Sequence, residues 1–238
     1  MTAGEEQRLS ALAPYPVSVV LSVHNGQRFL AQALESILQS ERPPLEILVI
    51  DDGSTDATIE IARKAPLTRV ISQPQGGIAK ARNHGVSLAR GEFIAFNSYD
   101  DIWAPEKLDR QVAFMGSNPN IDIAVCMMRH FLEAGSEMPR GFRRELLDKP
   151  VPGFIPEAMI ARRTVFARIG LFDTSYATSE DTDWFSRAID AGLEMAVIPD
   201  VLLHKRVHGT NTSLAPTTNQ TLLRAVRSSI LRKRAIKA

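Results

Sequence analysis

The sequence predicts an α/β protein built on one open, mostly parallel sheet with helices on both faces. Strand and helix signals alternate along the first hundred residues, which calls for right-handed βαβ winding. The strand-like runs are apolar and β-branched on both faces, as a sheet covered on two sides requires. At 238 residues the chain suits one large domain rather than two, since domains usually hold ~100–200 residues.

Residues 17–23, VSVVLSV, read as the first strand. Residues 28–38 place Phe29, Leu30, Ala33, Leu34, Ile37 and Leu38 at helical intervals, and Pro43 and Pro44 stop that helix. LEILVI at 45–50 is a second buried strand, and DDGSTD supplies a turn with capping side chains before the short helix ATIEIARKA. RVISQ is a third strand, GGIAKARNHGVSLA a helix opened by glycines, and EFIAF a fourth strand. A helix over 104–118 carries Pro105 near its first turn and QVAFM on its apolar side. IDIAVCMM at 121–128 reads as a strand, and 133–153, rich in Gly, Pro, Arg and Glu, as a loop. Helical periodicity returns in ARRTVFARIG and DTDWFSRAIDAG, followed by a strand at EMAVIP. The last segment is a basic amphipathic helix, with Leu222, Leu223, Val226, Ile230 and Leu231 near helical spacing. It suits packing on its own domain or on a partner subunit, or resting on an anionic membrane surface.

Composition narrows the function classes. With 28 basic and 27 acidic side chains the net charge is +1, so no global field draws the protein to nucleic acid and an anionic ligand must be held locally. Cys126 is the only cysteine, which removes an internal disulfide and any cysteine-based zinc cluster, and fits a reducing compartment. The first residues carry Glu5 and Glu6 where a signal peptide would be basic, and no apolar run approaches the ~18–20 residues of a membrane span. A cytoplasmic protein is expected, with the inner face of the membrane as a second place for it.

Ligands of an open parallel sheet bind beyond the carboxyl ends of its strands. Ser22, His24 and Asn25 follow the first strand, Asp51 and Asp52 the second, and Ser98 to Asp101 the fourth. Because side chains alternate along a strand, one of Asp51 and Asp52 points into the crevice while its neighbour is free to cap the turn. Each pair alone is also good turn chemistry, and Asp-Asp-Gly needs no ligand to explain it.

In register, these motifs resemble one family. VSVVLSVHNGQRFLAQALESILQ, LEILVIDDGSTDAT and GGIAKARNHGVSLARGEFIAFNSYDDIWAPEKL look like the nucleotide-sugar-binding half of the family 2 glycosyltransferases, which have the GT-A fold. GLFDTSYATSEDTDWFSRAIDAGLEMAVIP and LLHKRVHGTNTS resemble that family's acceptor half. The resemblance covers about residues 16–213. It implies an N-terminal extension over 1–15, a donor half over 16–103, a smaller acceptor and catalytic half over 104–213, and the basic helix over 214–238.

Several roles follow from the resemblance. Ser22 stands beside the uracil and Asp52 matches the carboxylate that hydrogen-bonds the base; a carboxylate, acceptor-only, suits an imide N–H or ribose hydroxyl. Asn25 belongs to the same donor group. Arg82 lies where a basic side chain reaches the nucleotide, its planar fork suiting phosphate or carbonyl oxygens, although a surface arginine is the plainer reading. Most members read Asp-x-Asp-Asp after the fourth strand, the first and third acids bracketing a divalent cation. Here those positions are Ser98 and Asp100, so one acid is missing. Ser98 and Tyr99 would shape the ribose site, and Asp100 would hold Mg²⁺ or Mn²⁺ with water and phosphate oxygens. His208 matches a position that supplies a metal or phosphate contact in some GT-A enzymes, though a lone histidine is more often structural; imidazole favours Mn²⁺.

Asp181 matches the catalytic base of an inverting transfer, in which an acceptor hydroxyl attacks the anomeric carbon and the nucleoside diphosphate leaves from the opposite face. Burial or a neighbouring acid such as Glu180 should raise its pKa above the ordinary value near 4. The plainer reading is a helix start capped by Ser179 or by Asp181 itself. Trp103 and Trp184 offer faces for a sugar but suit core packing better. The expected donor is a UDP-sugar, and the acceptor is a saccharide, a lipid-linked group, a peptide or a small molecule. Two other readings remain: a GT-A-fold binding or scaffold protein without turnover, suggested by Ser98, and nucleotidyl transfer. The latter usually needs a glycine-rich basic loop, where VHNGQRF has one glycine and one arginine.

Overall fold

The central strand β1 (Tyr15–Val23) is buried along nearly its whole length because both its faces are covered. The computed structural model of the chain describes residues 14–133, 135–211 and 218–236. Val17, Val19, Leu21 and Val23 join one core with Leu30, Ala33, Leu34 and Ile37 of α1 (Leu30–Leu38). Val20 joins a second core with Ala79, Ala81 and Val86 of α3 (Ile78–Leu88). Period-two alternation along one apolar strand thus feeds two layers, which makes the αβα sandwich. Gly85 lets α3 sit directly on β1, since a Cβ there would lie 3.0 Å from Val20 Cγ2 and closer still to Cγ1.

β2 (Pro44–Asp51) and β4 (Phe93–Ser98) flank β1 in parallel, and β3 (Thr68–Ser72), reached through α2 (Thr58–Lys64), pairs in parallel with β2. After β5 (Ile102–Trp103) and α4 (Lys107–Ser117), β6 (Ile123–Leu132) and β9 (Met195–Val207) add a second parallel pair. β8 (Met159–Arg162) runs antiparallel between β4 and β6. The order is β3-β2-β1-β4-β8-β6-β9-β5, with β7 (Val151–Pro152) on β6. Strand order reverses at β1, so β1, β2 and β4 open a crevice at their carboxyl ends. α5 (Glu145–Asp148), α6 (Thr164–Ile169), α7 (Glu180–Asp190) and α8 (Thr218–Ile236) complete the chain.

Three expectations are corrected. The helix read over ARRTVFARIG starts only at Thr164, because Ala161 and Arg162 close β8, whose backbone is taken by β4 and β6. The strand read at EMAVIP runs on to Val207, drawn out by pairing with β6 across a register shift. Residues 133–153 are not all loop, since they hold α5 and β7. The N-terminal extension, apart from Pro14 and Tyr15, lies outside the described residues.

Candidate active site

The site is built where β1, β2 and β4 end. Ser22 is level with Ile50 of β2 and Ser98 of β4, which sets it between the two neighbouring strands. Asn25 adopts a left-handed φ of 51°, and its Oδ1 accepts the Thr55 N–H at 2.9 Å, pinning the β1 loop to the β2 loop. Asp52 does not cap its own turn; Asp51 does that, accepting Ser54 N–H. Asp52 instead takes Gln73 Nε2 and Gly76 N–H on Oδ1 and Gly77 N–H on Oδ2, at 2.8 to 2.9 Å. The glycine loop that opens α3 is therefore folded onto this carboxylate. One acceptor direction on Oδ2 remains for a ligand.

The stretch after β4 is held by the far end of β9. Asp101 is fully buried; its Oδ2 takes Lys205 Nζ at 2.9 Å and its Oδ1 the Arg206 N–H at 3.0 Å. Burial pushes the Asp101 carboxyl up to about 7, although Lys205 pulls against it. Asp100 meets His208: Nε2 lies 2.8 Å from Oδ2, and the other ring nitrogen, Nδ1, lies 2.8 Å from Thr210 Oγ1. Asn211 Nδ2 approaches the same Asp100 oxygen at 3.4 Å. Tyr99 packs over Gly26, and burial with Asp100 and Asp101 nearby pushes its hydroxyl up to about 12.

Asp100 and His208 are the two residues singled out for a metal, and the fold brings them together from positions 108 residues apart. Among the described residues no three His, Cys, Asp or Glu side chains are grouped to hold an ion. The donor set that is present, one carboxylate and one imidazole oriented through its second nitrogen, fits a divalent cation that draws its other ligands from water and diphosphate.

A second constellation lies beside it. Arg82, buried in α3, donates through one terminal nitrogen to Glu157 Oε1 at 2.6 Å and through the other to Glu180 Oε1. Ser98 Oγ donates to the same Glu157 oxygen at 2.8 Å. Glu157 sits in a 3₁₀ turn (Pro156–Ala158) leading into β8, which carries it to the end of β4. A carboxylate thus stands against Ser98, where the sequence lacks one. Sequence reading missed Glu157; its only signal is an acid inside the apolar run GFIPEAMIA, where a buried charge needs a partner. Burial works to raise its carboxyl, but Arg82, then Lys205 and Ser98, hold it down at about 2.

Glu180 and Asp181 open α7. Burial raises the Asp181 carboxyl, Arg82 draws it back, and Glu157 adds to the rise. The neighbouring acid that adds to the rise of Asp181 is Glu157. Glu180 is itself raised, by burial first, against Arg82, with Asp181 adding to the rise. Ser179 does not cap the helix with its side chain; its φ is 65°, and its hydroxyl meets Thr221 Oγ1 of α8 at 3.1 Å.

Trp103 and Trp184 are core residues, 1% and 0% exposed. α8 packs on α7 and on the loop before it: Ala225 is buried, Arg224 Nη2 donates to Ser175 Oγ at 2.8 Å, and Arg232 Nε to Asp190 at 2.9 Å. Leu222, Leu223, Val226, Ile230 and Leu231 stay exposed. No helix among the described residues is long and apolar enough to cross a membrane.

Comparison with known proteins bears on the family and the fold. The family model described as glycosyl transferase family 2 matches residues 18–170. An uncharacterized glycosyltransferase of Rickettsia typhi is 27% identical over 214 residues, covering 83% of this chain and 67% of that protein. The putative glycosyltransferase EpsE of Bacillus subtilis is 30% identical over 165 residues, 66% of this chain and 58% of that one. Among solved structures, residues 1–349 of S. aureus TarS in complex with UDP-GlcNAc give a TM-score of 0.73 at 21% identity, over 91% of this chain and 66% of that one. The mannosyltransferase PcManGT from Pyrobaculum calidifontis, in complex with GDP-Man and Mn²⁺, gives 0.70 at 20% identity, over 95% and 70%. The chain spans about two thirds of the length of several of these relatives. The match over residues 18–170 and the shared architecture place it: the chain belongs to glycosyl transferase family 2 and has the GT-A fold.

Proposed function

We propose that the protein transfers a sugar, with inversion, from a nucleotide sugar to an acceptor hydroxyl, with Asp181 as general base. The observation that carries this is the place of Asp181: it opens α7 one residue after Glu180, which Arg82 links to Glu157 and so to Ser98 at the end of β4. On this reading Ser22, Asn25 and the free acceptor direction of Asp52 face the nucleoside, and Ser98 and Tyr99 the ribose. The bound UDP-GlcNAc and UDP of TarS favour a uridine donor, while the GDP-Man of PcManGT makes guanosine the competitor. Asp100 and His208 would hold a divalent cation, Mn²⁺ before Mg²⁺ given the imidazole, and such a cation neutralises charge on a leaving diphosphate. Asp181 takes the acceptor proton as the hydroxyl oxygen bonds to the anomeric carbon, and the bond to the diphosphate oxygen breaks.

The experiment is a screen of UDP-, GDP- and dTDP-sugars for metal-dependent donor hydrolysis, run beside Asp181→Asn. Turnover of one donor, lost in the variant, is expected. A donor that binds and is never cleaved with any acceptor would instead support a binding protein without turnover. We also propose that the protein is cytoplasmic. Two occupants compete for the exposed stripe of α8, the inner face of a membrane and a second copy of the chain.

A further inference from the structure

We propose that Glu157 and Arg82 are positioning residues that set the basicity of Asp181 and tie it to the donor turn. This rests on Asp181 being the general base. The geometry is a buried chain of contacts: Ser98 Oγ and Arg82 Nη2 both donate to Glu157 Oε1, at 2.8 and 2.6 Å, and Arg82 Nη1 donates to Glu180 Oε1, one residue before Asp181. Arg82, Glu157 and Glu180 are each 4 to 5% exposed, so water screens their charges little.

One guanidinium therefore serves three carboxyls. Glu157, which also takes the Ser98 hydroxyl, is held down and stays ionised. Glu180 and Asp181, more affected by burial, both rise. Glu157 thus acts on Asp181 twice, by occupying Arg82 and as a like charge nearby. Arg82 acts the other way and draws the Asp181 carboxyl back down. The guanidinium is enclosed by the two acids, one at each terminal nitrogen.

The two substitutions should move Asp181 in opposite directions, which a merely structural role would not do. The readout is the carboxyl ¹³C titration of the protein labelled at aspartate, with the Asp181 signal assigned by its loss in Asp181→Asn. Glu157→Gln should shift the Asp181 titration downward, and Arg82→Met upward, each by about one pH unit or more, as single neighbouring charges do. The acidic limb of the pH–rate profile should follow. An unmoved titration in Glu157→Gln, or shifts of the same sign in both variants, overturns the proposal. Should Arg82→Met not fold, Glu157→Gln decides alone, since it keeps the shape of the side chain. Failure here is distinct from failure of the base: an active Asp181→Asn enzyme overturns the base, while an inactive one with an unmoved titration overturns only the positioning role.

Discussion

Removing the cation beneath the acid turn, Lys205→Met, should destabilise the protein in a pH-dependent way. Lys205 Nζ lies 2.9 Å from Asp101 Oδ2, and the Asp101 side chain is fully buried. At that distance and an effective dielectric of 20, unit charges attract by about 6 kcal/mol before desolvation. Lys205 is 20% exposed, so part of that is screened, and the loss of one partner of a buried pair gives a figure of about 3 kcal/mol, the low end of the usual range. Asp101 supplies the pH dependence. Its folded pKa, about 7, is raised above the unfolded value near 4, so its proton favours the native state below pH 4 and that contribution is lost as pH climbs to 7. At pH 8 the wild type holds an ionised Asp101 against Lys205; at pH 5 it holds a protonated one, and Lys205 matters less. Urea denaturation followed by tryptophan fluorescence should show a loss near 3 kcal/mol at pH 8 and a clearly smaller one at pH 5. Equal losses at the two pH values, or a larger one at pH 5, would show that the pair does not work this way.

His208→Ala should weaken Mn²⁺ binding in the presence of UDP at least tenfold, and Mg²⁺ binding less, because the imidazole beside Asp100 is the softer ligand; electron paramagnetic resonance of free Mn²⁺ measures it, and unchanged affinity removes His208 from the metal site. Gly85→Ala should cost about 1–3 kcal/mol by driving a methyl into Val20, read as a melting temperature lower by roughly 2–12 °C. Leu223→Glu with Leu231→Glu tests the exposed stripe of α8. Salt-sensitive co-sedimentation with anionic vesicles that the double variant loses marks a membrane surface, whereas a dimer in sedimentation velocity that the same variant dissolves marks a second copy.

The first half of the fold was legible because its strands are buried on both faces and bounded by turn residues, so VSVVLSV, LEILVI and EFIAF announce themselves without tertiary help. β8 was not, since four residues show no period and owe their extended form to distant partners, Phe93 to Ala95 of β4 and Ile123 to Val125 of β6. The second half of β9 was hidden for the same reason: LLHKRV is extended because β6 pairs with it. At the site, Asp52, Asp100 and His208 stand out from motif and position, and the fold sets His208 Nε2 2.8 Å from Asp100 Oδ2. Asp52 carries a loop that no motif announced, and Arg82, read as a donor contact, is enclosed by Glu157 and Glu180. Glu157 lay outside every motif, because its significance is created by the antiparallel strand that follows it.

Calorimetric titration of UDP into the protein, with and without Mn²⁺, puts the donor site to its most direct test, with Asp52→Ala and Asp100→Ala as controls. Saturable binding that needs Mn²⁺ and is weakened by both substitutions, with the variants still folded, is expected. No binding of any nucleoside diphosphate, or UDP binding indifferent to Mn²⁺ and to Asp100, would mean that the acids gathered at the strand ends do not form a metal-assisted nucleotide-sugar site.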